Sequence, residues 1–313
     1  MKNTKLISGS SIPALSAEIA KKLGIRLTRT RIARFSDGEL DIQILENIRN
    51  KDVFLLQSTC VPDVNKHYME LFLLADAAKR ASAKSITVVM PYYGYCRQDR
   101  KKFGRVPISA RTMADLLTAT GVKRILTIDL HAGQIQGFFN GPVDNIYASK
   151  AQLTNIRRKR LKNLVVYSPD AGGTDRARAF AKRLGAGLAL GDKRREKKNQ
   201  AEILHIIGNV KGKIVLMLDD MADTFGSMEE SVKALLEQGA KKIYACVTHA
   251  VLSGPALARI EASPITELLV TNTIPLSPEA MAMEKIRSIS IAGLLADAIR
   301  RIQNGGSVSG LFD

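Results

Sequence analysis

Short runs of aliphatic and β-branched residues recur along the 313-residue chain, and between them lie longer stretches whose apolar residues return every three or four positions. The runs at Val53–Gln57, Ser85–Met90, Arg124–Asp129, Leu164–Ser168, Ile214–Leu218, Ile243–Val247 and Glu267–Val270 predict strands. The stretches between carry helix punctuation: Ser11 with Pro13 opens one that Gly24 closes, Pro107 opens another closed by Gly121, and Gly239 ends a third. Strands alternating with helices predict an α/β fold, because parallel neighbours need a crossover that a helix supplies.

The pattern also repeats. Ala83–Val89 and Ala240–Cys246 are alike and each follows a predicted helix, and the strands before those helices match too, Lys51–Leu56 beside Gly212–Met217. A duplication is expected, with similar α/β domains at 1–147 and 148–313 and a tail from about residue 293 able to pack back on the first domain. The basic stretch Arg157–Arg160 just after the boundary reads as a solvated helix face. Charged residues interrupt the apolar groups of positions 1–24 and no run of 18 apolar residues occurs, so the expectation is a cytoplasmic protein with no membrane partner.

Composition narrows the partners. Lys and Arg number 47 against 30 Asp and Glu, a formal charge of +17 that asks for anions. Aromatic residues are 5% with no Trp, and no helix-turn-helix, zinc-finger or aromatic RNA motif occurs, so nucleic acid is a poor third choice behind phosphorylated small molecules. Cys60, Cys96 and Cys246 lie far apart without CxxC spacing and are expected as buried thiols.

The strongest local signal is Leu216–Ser227. An apolar strand ends in Asp219 and Asp220, and the turn Asp223-Thr224-Phe225-Gly226-Ser227 leads into a helix beginning at about Met228. Backbone N–H groups and the helix dipole then converge on a point that suits a phosphate, with the carboxylates beside it as acceptors for sugar hydroxyls or a hydrated metal. An acidic helix cap is the plainer alternative, but one carboxylate would suffice for it. Asp170-Ala171-Gly172-Gly173 offers glycines that let backbone approach an anion, or simply a helix start. His131 follows a predicted strand at its carboxyl end, and Arg97, Gln98 and Arg100 supply donors after another, beside Tyr92, Tyr93 and Tyr95, which read as packing residues. Phe35 alone reads as a core residue, and Asp37 and Glu39 as solvent-facing alternation on an extended segment.

The 219–227 segment resembles the ribose-phosphate motif of type I phosphoribosyltransferases. Together with Phe35–Glu39, Pro91–Arg100, Asp129–Phe139 and Ser168–Gly173 it resembles the ribose-phosphate pyrophosphokinase family over nearly the whole chain. The resemblance implies two phosphoribosyltransferase-like domains, each a mainly parallel sheet flanked by helices, and transfer of the β,γ-pyrophosphoryl group of ATP to the 1-hydroxyl of ribose 5-phosphate with Mg2+. It assigns Phe35, Asp37, Glu39, Arg97, Gln98, Arg100 and His131 to ATP, the first three reaching a neighbouring subunit's adenine. It further assigns Asp219, Asp220, Asp223, Thr224, Phe225, Gly226 and Ser227 to the sugar phosphate, Asp170–Gly173 to pyrophosphate, and His131 and Asp170 to the metal. Lys193 and Arg195, in the basic run Gly191–Lys198 that composition alone makes a solvated loop, become the catalytic cations of a loop that closes over the reaction. Arg49, Gln136, Asn145, Ser307, Ser309 and Phe312 match an ADP and phosphate effector site between the subunits of a homo-oligomer, commonly a hexamer; a frayed tail is the plainer reading of Ser307 and Ser309.

The chain departs from the pattern at Phe225, where the family has a small residue, and at Ser227, where it has Thr. A bulky Phe225 in the phosphate loop motivates an alternative reading as a non-catalytic partner subunit that binds phosphates without turnover.

Overall fold

A computed structural model describes residues 1, 3–194 and 203–311, with side chains described at 1, 3–192 and 205–311. Arg195, Phe312 and the side chain of Lys193 therefore lie outside the described residues.

The first half of the chain runs β1 (Thr4–Ser8), α1 (Pro13–Leu23), β2 (Thr30–Arg34), β3 (Leu40–Ile44), β4 (Asp52–Leu56), α2 (Val64–Arg80), β5 (Ser85–Met90), α3 (Ser109–Ala119), β6 (Arg124–Ile128) and β7 (Val143–Ile146). Among the described residues, β1-β4-β5-β6-β7 form a parallel sheet, and β2 and β3 form a separate antiparallel hairpin. Pro13 starts α1 and left-handed Gly24 ends it, as their positions in the sequence predict.

The second half runs α4 (Ser149–Arg158), β8 (Leu164–Ser168), α5 (Thr174–Leu184), β9 (Gly187–Arg194), β10 (Ile203–Ile207), β11 (Ile214–Ala222), α6 (Gly226–Glu237), β12 (Lys242–Ala250), α7 (Ala256–Ala262), β13 (Glu267–Thr271), α8 (Pro278–Ala282), β14 (Ile286–Ile289) and α9 (Ala292–Gln303). Its sheet has the order β10-β9-β8-β11-β12-β13-β14, parallel except for the edge strand β10. The succession β4-α2-β5 corresponds to β11-α6-β12, the pair of segments whose sequences echo each other, so the repetition in the sequence is repetition of topology.

The chain clusters into two units, one of residues 1–148, 273–275 and 290–313 and the other of residues 149–272 and 276–289. The helix that follows β7, α4, thus belongs to the second unit, and the helix that follows β14, α9, belongs to the first. Leu295 and Ile299 of α9 share a core with Leu15 and Ile19 of α1, and Arg300 donates to the Lys22 carbonyl at 3.1 Å. Leu153 and Ile156 of α4 pack with Val166 and Phe180 in the second unit.

Several expectations change. β11 continues to Ala222, so Asp219 and Asp220 lie within a strand and not at its end, and α6 begins at Gly226, before Met228. The run from Gly191 does not begin as a loop, because β9 extends to Arg194 with Lys193 paired to Leu204 of β10. Nor is the basic stretch at the end of α4 uniformly solvated: Lys159 pairs with Glu267 at 2.5 Å, both side chains largely covered, and lies over the Tyr244 ring. All three cysteines are buried, and burial pushes the Cys60 thiol up to about 12.

Candidate functional site

In a parallel sheet the loops at the carboxyl ends of neighbouring strands share one edge. In the second unit β9, β8 and β11 are consecutive and parallel, so the loop after β8, the end of β9 and the far part of β11 are brought side by side. Gly191 allows the close approach: a Cβ there would meet the Tyr167 hydroxyl at 2.4 Å and the Pro169 carbonyl at 2.6 Å. Asp170-Ala171-Gly172-Gly173, Asp219, Asp220 and the 223–227 turn thus gather on one edge, with the backbone of Lys193 on the adjoining strand.

Asp170 shapes its own loop, since its Oδ1 accepts the Gly173 N–H at 3.0 Å. Asp219 accepts the N–H of Asp220 at 2.8 Å. Burial, then the neighbouring charge of Asp220, raise the Asp219 carboxyl well above the ordinary carboxylate range, and the Asp170 charge adds to the rise. The charges of Asp220 and Asp170 both act on Asp219, so this edge of the sheet is acidic. Among the described residues no group of three or more His, Cys, Asp or Glu is arranged to hold a metal by itself.

The raised carboxyl carries a testable sign. Its ionised form is disfavoured in the fold, so its contribution to stability is fully present below the unfolded value near 3.8 and is lost as pH rises toward the folded value. Asp219→Asn is therefore expected to gain in Tm over the parent as pH rises from about 4 to about 8 in magnesium-free buffer. A difference in Tm that stays constant across that range would remove the charge argument.

The 223–227 turn differs from expectation at its centre. Phe225 is left-handed (φ 62, ψ 4) and only 2% exposed, its side chain buried in the unit's main core, which also holds Met228, Val232 and Ala256. The ring therefore does not obstruct the loop, and the ground for a non-catalytic reading is removed. The backbone angle remains disfavoured for any residue with a Cβ, at a cost of about 1–2 kcal/mol. Asp223 is clamped as well: Ser253 donates from its hydroxyl to Asp223 Oδ1 and from its N–H to the Asp223 carbonyl.

In the first unit the loops after β5 and β6 are neighbours. Tyr92 and Tyr93 are buried, as packing residues should be, and Arg97, Gln98 and Arg100 are exposed. Gln98 accepts from the Ser109 hydroxyl at 2.5 Å, which ties its loop to the start of α3. Buried Asp99, between these donors, accepts from Gln134 at 2.5 Å and joins the two loops. His131 lies exposed on the second loop, and Asp129, buried behind it, accepts the Ala148 N–H at 3.1 Å. Phe35 is 55% exposed, so it is not a core residue, and Asp37 and Glu39 occupy the hairpin turn between β2 and β3, not an extended segment, with Asp37 Oδ1 accepting the Glu39 N–H.

Of the residues matched to an effector site, the described ones, Arg49, Gln136, Asn145, Ser307 and Ser309, fall in the same unit. Arg49 and Gln136 are exposed, whereas Asn145 is buried and accepts the Leu130 N–H at 3.0 Å. The segment carrying Ser307 and Ser309 is not frayed: Arg301 donates to the Ser307 carbonyl at 2.9 Å and Leu311 is buried in the first unit's core.

Sequence reasoning missed Asp99, Ser253, Arg259 and the wholly buried Glu70, which accepts from Ser10 and Gln57 at the carboxyl end of β1. A carboxylate on a helix and an arginine on another look like ordinary solvated residues in a linear reading.

Comparison with known proteins bears on the same segments. A family model described as the N-terminal domain of ribose phosphate pyrophosphokinase matches residues 4–121, and one described as phosphoribosyl synthetase-associated domain matches residues 193–313. The chain is 52% identical to a ribose-phosphate pyrophosphokinase of Burkholderia pseudomallei, over 98% of this chain and 96% of the relative. It is 51% identical to one of Helicobacter pylori, over 100% of this chain and 97% of the relative. The crystal structure of phosphoribosylpyrophosphate synthetase from Mycobacterium smegmatis superposes with a TM-score of 0.91 at 40% identity, covering 97% of this chain and 100% of that one.

Proposed function

The chain belongs to the ribose-phosphate pyrophosphokinase family and forms phosphoribosyl pyrophosphate from ATP and ribose 5-phosphate, and from that premise we propose how its residues divide the work. The 1-hydroxyl of the sugar attacks the β-phosphorus; the new O–P bond forms as the bond from that phosphorus to the oxygen it shares with the α-phosphorus breaks. AMP leaves with the electron pair, and one proton is released. No covalent intermediate is needed, so catalysis rests on placement and on cationic stabilisation of the transferring group.

The observation that carries the division of roles is the single edge of the second unit on which Asp170, Asp219, Asp220 and the 223–227 turn meet. Asp219 and Asp220 accept from ribose hydroxyls, the N–H groups of 224–227 and the Ser227 hydroxyl take the 5-phosphate, and Asp170–Gly173 face the pyrophosphate. Arg97, Gln98, Arg100 and His131 hold the triphosphate, and Phe35, Asp37 and Glu39 present an exposed turn to the adenine of a neighbouring subunit. Magnesium, when bound, neutralises charge on the β and γ phosphates, with His131 and Asp170 as its protein partners directly or through water. Lys193 and Arg195 meet charge that develops on the β-phosphorus and its bridging oxygen. A hexameric assembly with ADP and phosphate as effectors at Arg49, Gln136, Asn145, Ser307, Ser309 and Phe312, and a cytoplasmic location, complete the proposal. In the described residues no helix is long and apolar enough to cross a membrane.

The test is an assay of the purified chain with magnesium, ATP and ribose 5-phosphate, in which AMP must appear only when the sugar phosphate is present; ATP consumption independent of the sugar would overturn the reading. For the sugar side, Asp220→Asn is expected to raise the KM for ribose 5-phosphate by about tenfold, because an acceptor-only group becomes partly a donor. An unchanged sugar KM would take Asp220 out of the site.

A further inference from the structure

The peptide between Thr224 and Phe225 is held from outside the loop. Arg259 on α7 donates from Nη1 to the Thr224 carbonyl at 3.0 Å, and its Nε lies 3.6 Å from Oε2 of Glu229 in the first turn of α6. The guanidinium also occupies the space a side chain at Gly226 would take, since a Cβ there would stand 3.0 Å from the same Nη1. Glu229 in turn pairs with Lys233 at 2.7 Å, which leaves Arg259 anchored at one end and bonded to the loop at the other.

The geometry of a peptide turns this outward bond into an inward effect. The 224–225 bond is trans, and in a trans peptide C=O and N–H point in opposite directions. A Thr224 carbonyl drawn toward Arg259 therefore turns the Phe225 N–H to the other side of the loop. Phe225 is pinned independently by its buried ring, which holds the left-handed angle from the core side. One N–H of the 223–227 loop is thus aimed by two contacts, one to the Thr224 carbonyl and one to the core.

We infer that Arg259 is a positioning residue for sugar phosphate binding, orienting the Thr224–Phe225 peptide so that its N–H is already turned to the 5-phosphate before substrate arrives. This rests on the assignment of the 223–227 loop to that phosphate. The role depends on shape as well as charge: a planar fork reaches the carbonyl and the Glu229 carboxylate together, whereas an ammonium keeps the charge and loses the fork.

The test compares Arg259→Met and Arg259→Lys with Asp220→Asn and the parent, reading kcat and the KM for each substrate. The Arg259 side chain is 38% exposed, so its replacement leaves the core intact. Arg259→Met is expected to raise the KM for ribose 5-phosphate about tenfold, the size of one charge-assisted hydrogen bond, with the KM for ATP unmoved. Arg259→Lys should stay impaired, and Glu229→Gln, which frees the guanidinium from its anchor, should give a smaller rise in the same constant. Equal rises in both KM values would show a merely structural role, and full recovery by Lys would show that charge suffices; either overturns the inference. If Asp220→Asn raises the sugar KM and Arg259→Met does not, the inference alone falls. If neither moves it, the assignment of this whole edge, strand and loop, to the sugar phosphate falls, and the inference with it.

Discussion

Lys193→Ala is expected to lower kcat by about 10²- to 10³-fold, with little change in the KM for ATP. The asymmetry follows from when the charge appears. A cation that meets negative charge only as the pyrophosphoryl group moves lowers the barrier without tightening the ground-state complex. What supports the proposed role is the backbone alone: β9 is parallel to β8, whose following loop carries Asp170, and residue 193 is paired to Leu204 on its other side. A group mounted on a paired strand starts closer to its working position than one on an unpaired loop. Steady-state kinetics with both substrates varied decide the point. Parallel losses in kcat and ATP affinity would make Lys193 a binding residue instead.

Removing the Phe225 ring should be costly, and the order of the two obvious replacements should be inverted from the usual one. The ring is buried in the core that also holds Met228, Val232 and Ala256, so both Phe225→Ala and Phe225→Gly are expected to lose about 3 kcal/mol of stability. In most positions Gly would be the worse of the two by roughly 0.5–1 kcal/mol. Here the angle of φ 62 penalises the Ala Cβ and spares Gly, and the Gly variant should be about 1 kcal/mol the more stable. Denaturant unfolding of the three proteins measures this, and an Ala variant more stable than the Gly variant would mean that the left-handed conformation is not kept in solution. Sugar phosphate affinity should fall in both variants, because the loop loses its hold on the core. Tighter binding would restore the picture of a ring in the way of the substrate.

What could be read along the chain was whatever is apolar and continuous. β5 and β8 match their predicted bounds, and β4, β6, β12 and β13 differ by a few residues at most, because central strands covered on both faces must be apolar throughout. β2 and β3 escaped because the hairpin is only half-buried and carries Arg31 paired with Asp41, a pattern that reads as surface. β7 escaped because Asp144 and Asn145 break its apolar run, although Asp144 is paired to Arg124 and Asn145 is bonded to Leu130. β9 was hidden by Gly191 and the charges after it. At the site, the motif residues could be named, but what orients them could not: Arg259 stands far from Thr224 in sequence, and only the fold brings its guanidinium to that carbonyl. The burial of Phe225 was equally invisible, since a bulky residue inside a turn gives no sign of which way its ring goes.

The exchange of terminal helices between the two units also dictates an order of events during synthesis. The strands β1 to β7 leave the ribosome early, but the face of α1 that bears Leu15 and Ile19 finds Leu295 and Ile299 only when α9 has been made. Domains commonly fold as they emerge, amino-terminal first. In this chain the amino-terminal unit keeps an apolar strip uncovered until the segment from Ala292 to Gln303 has been made, whereas the second unit already has α4 at hand when its first strand appears. A nascent chain halted after β14 would hold a second unit with all its segments and a first one still open along α1, the species from which chaperone capture or aggregation would begin.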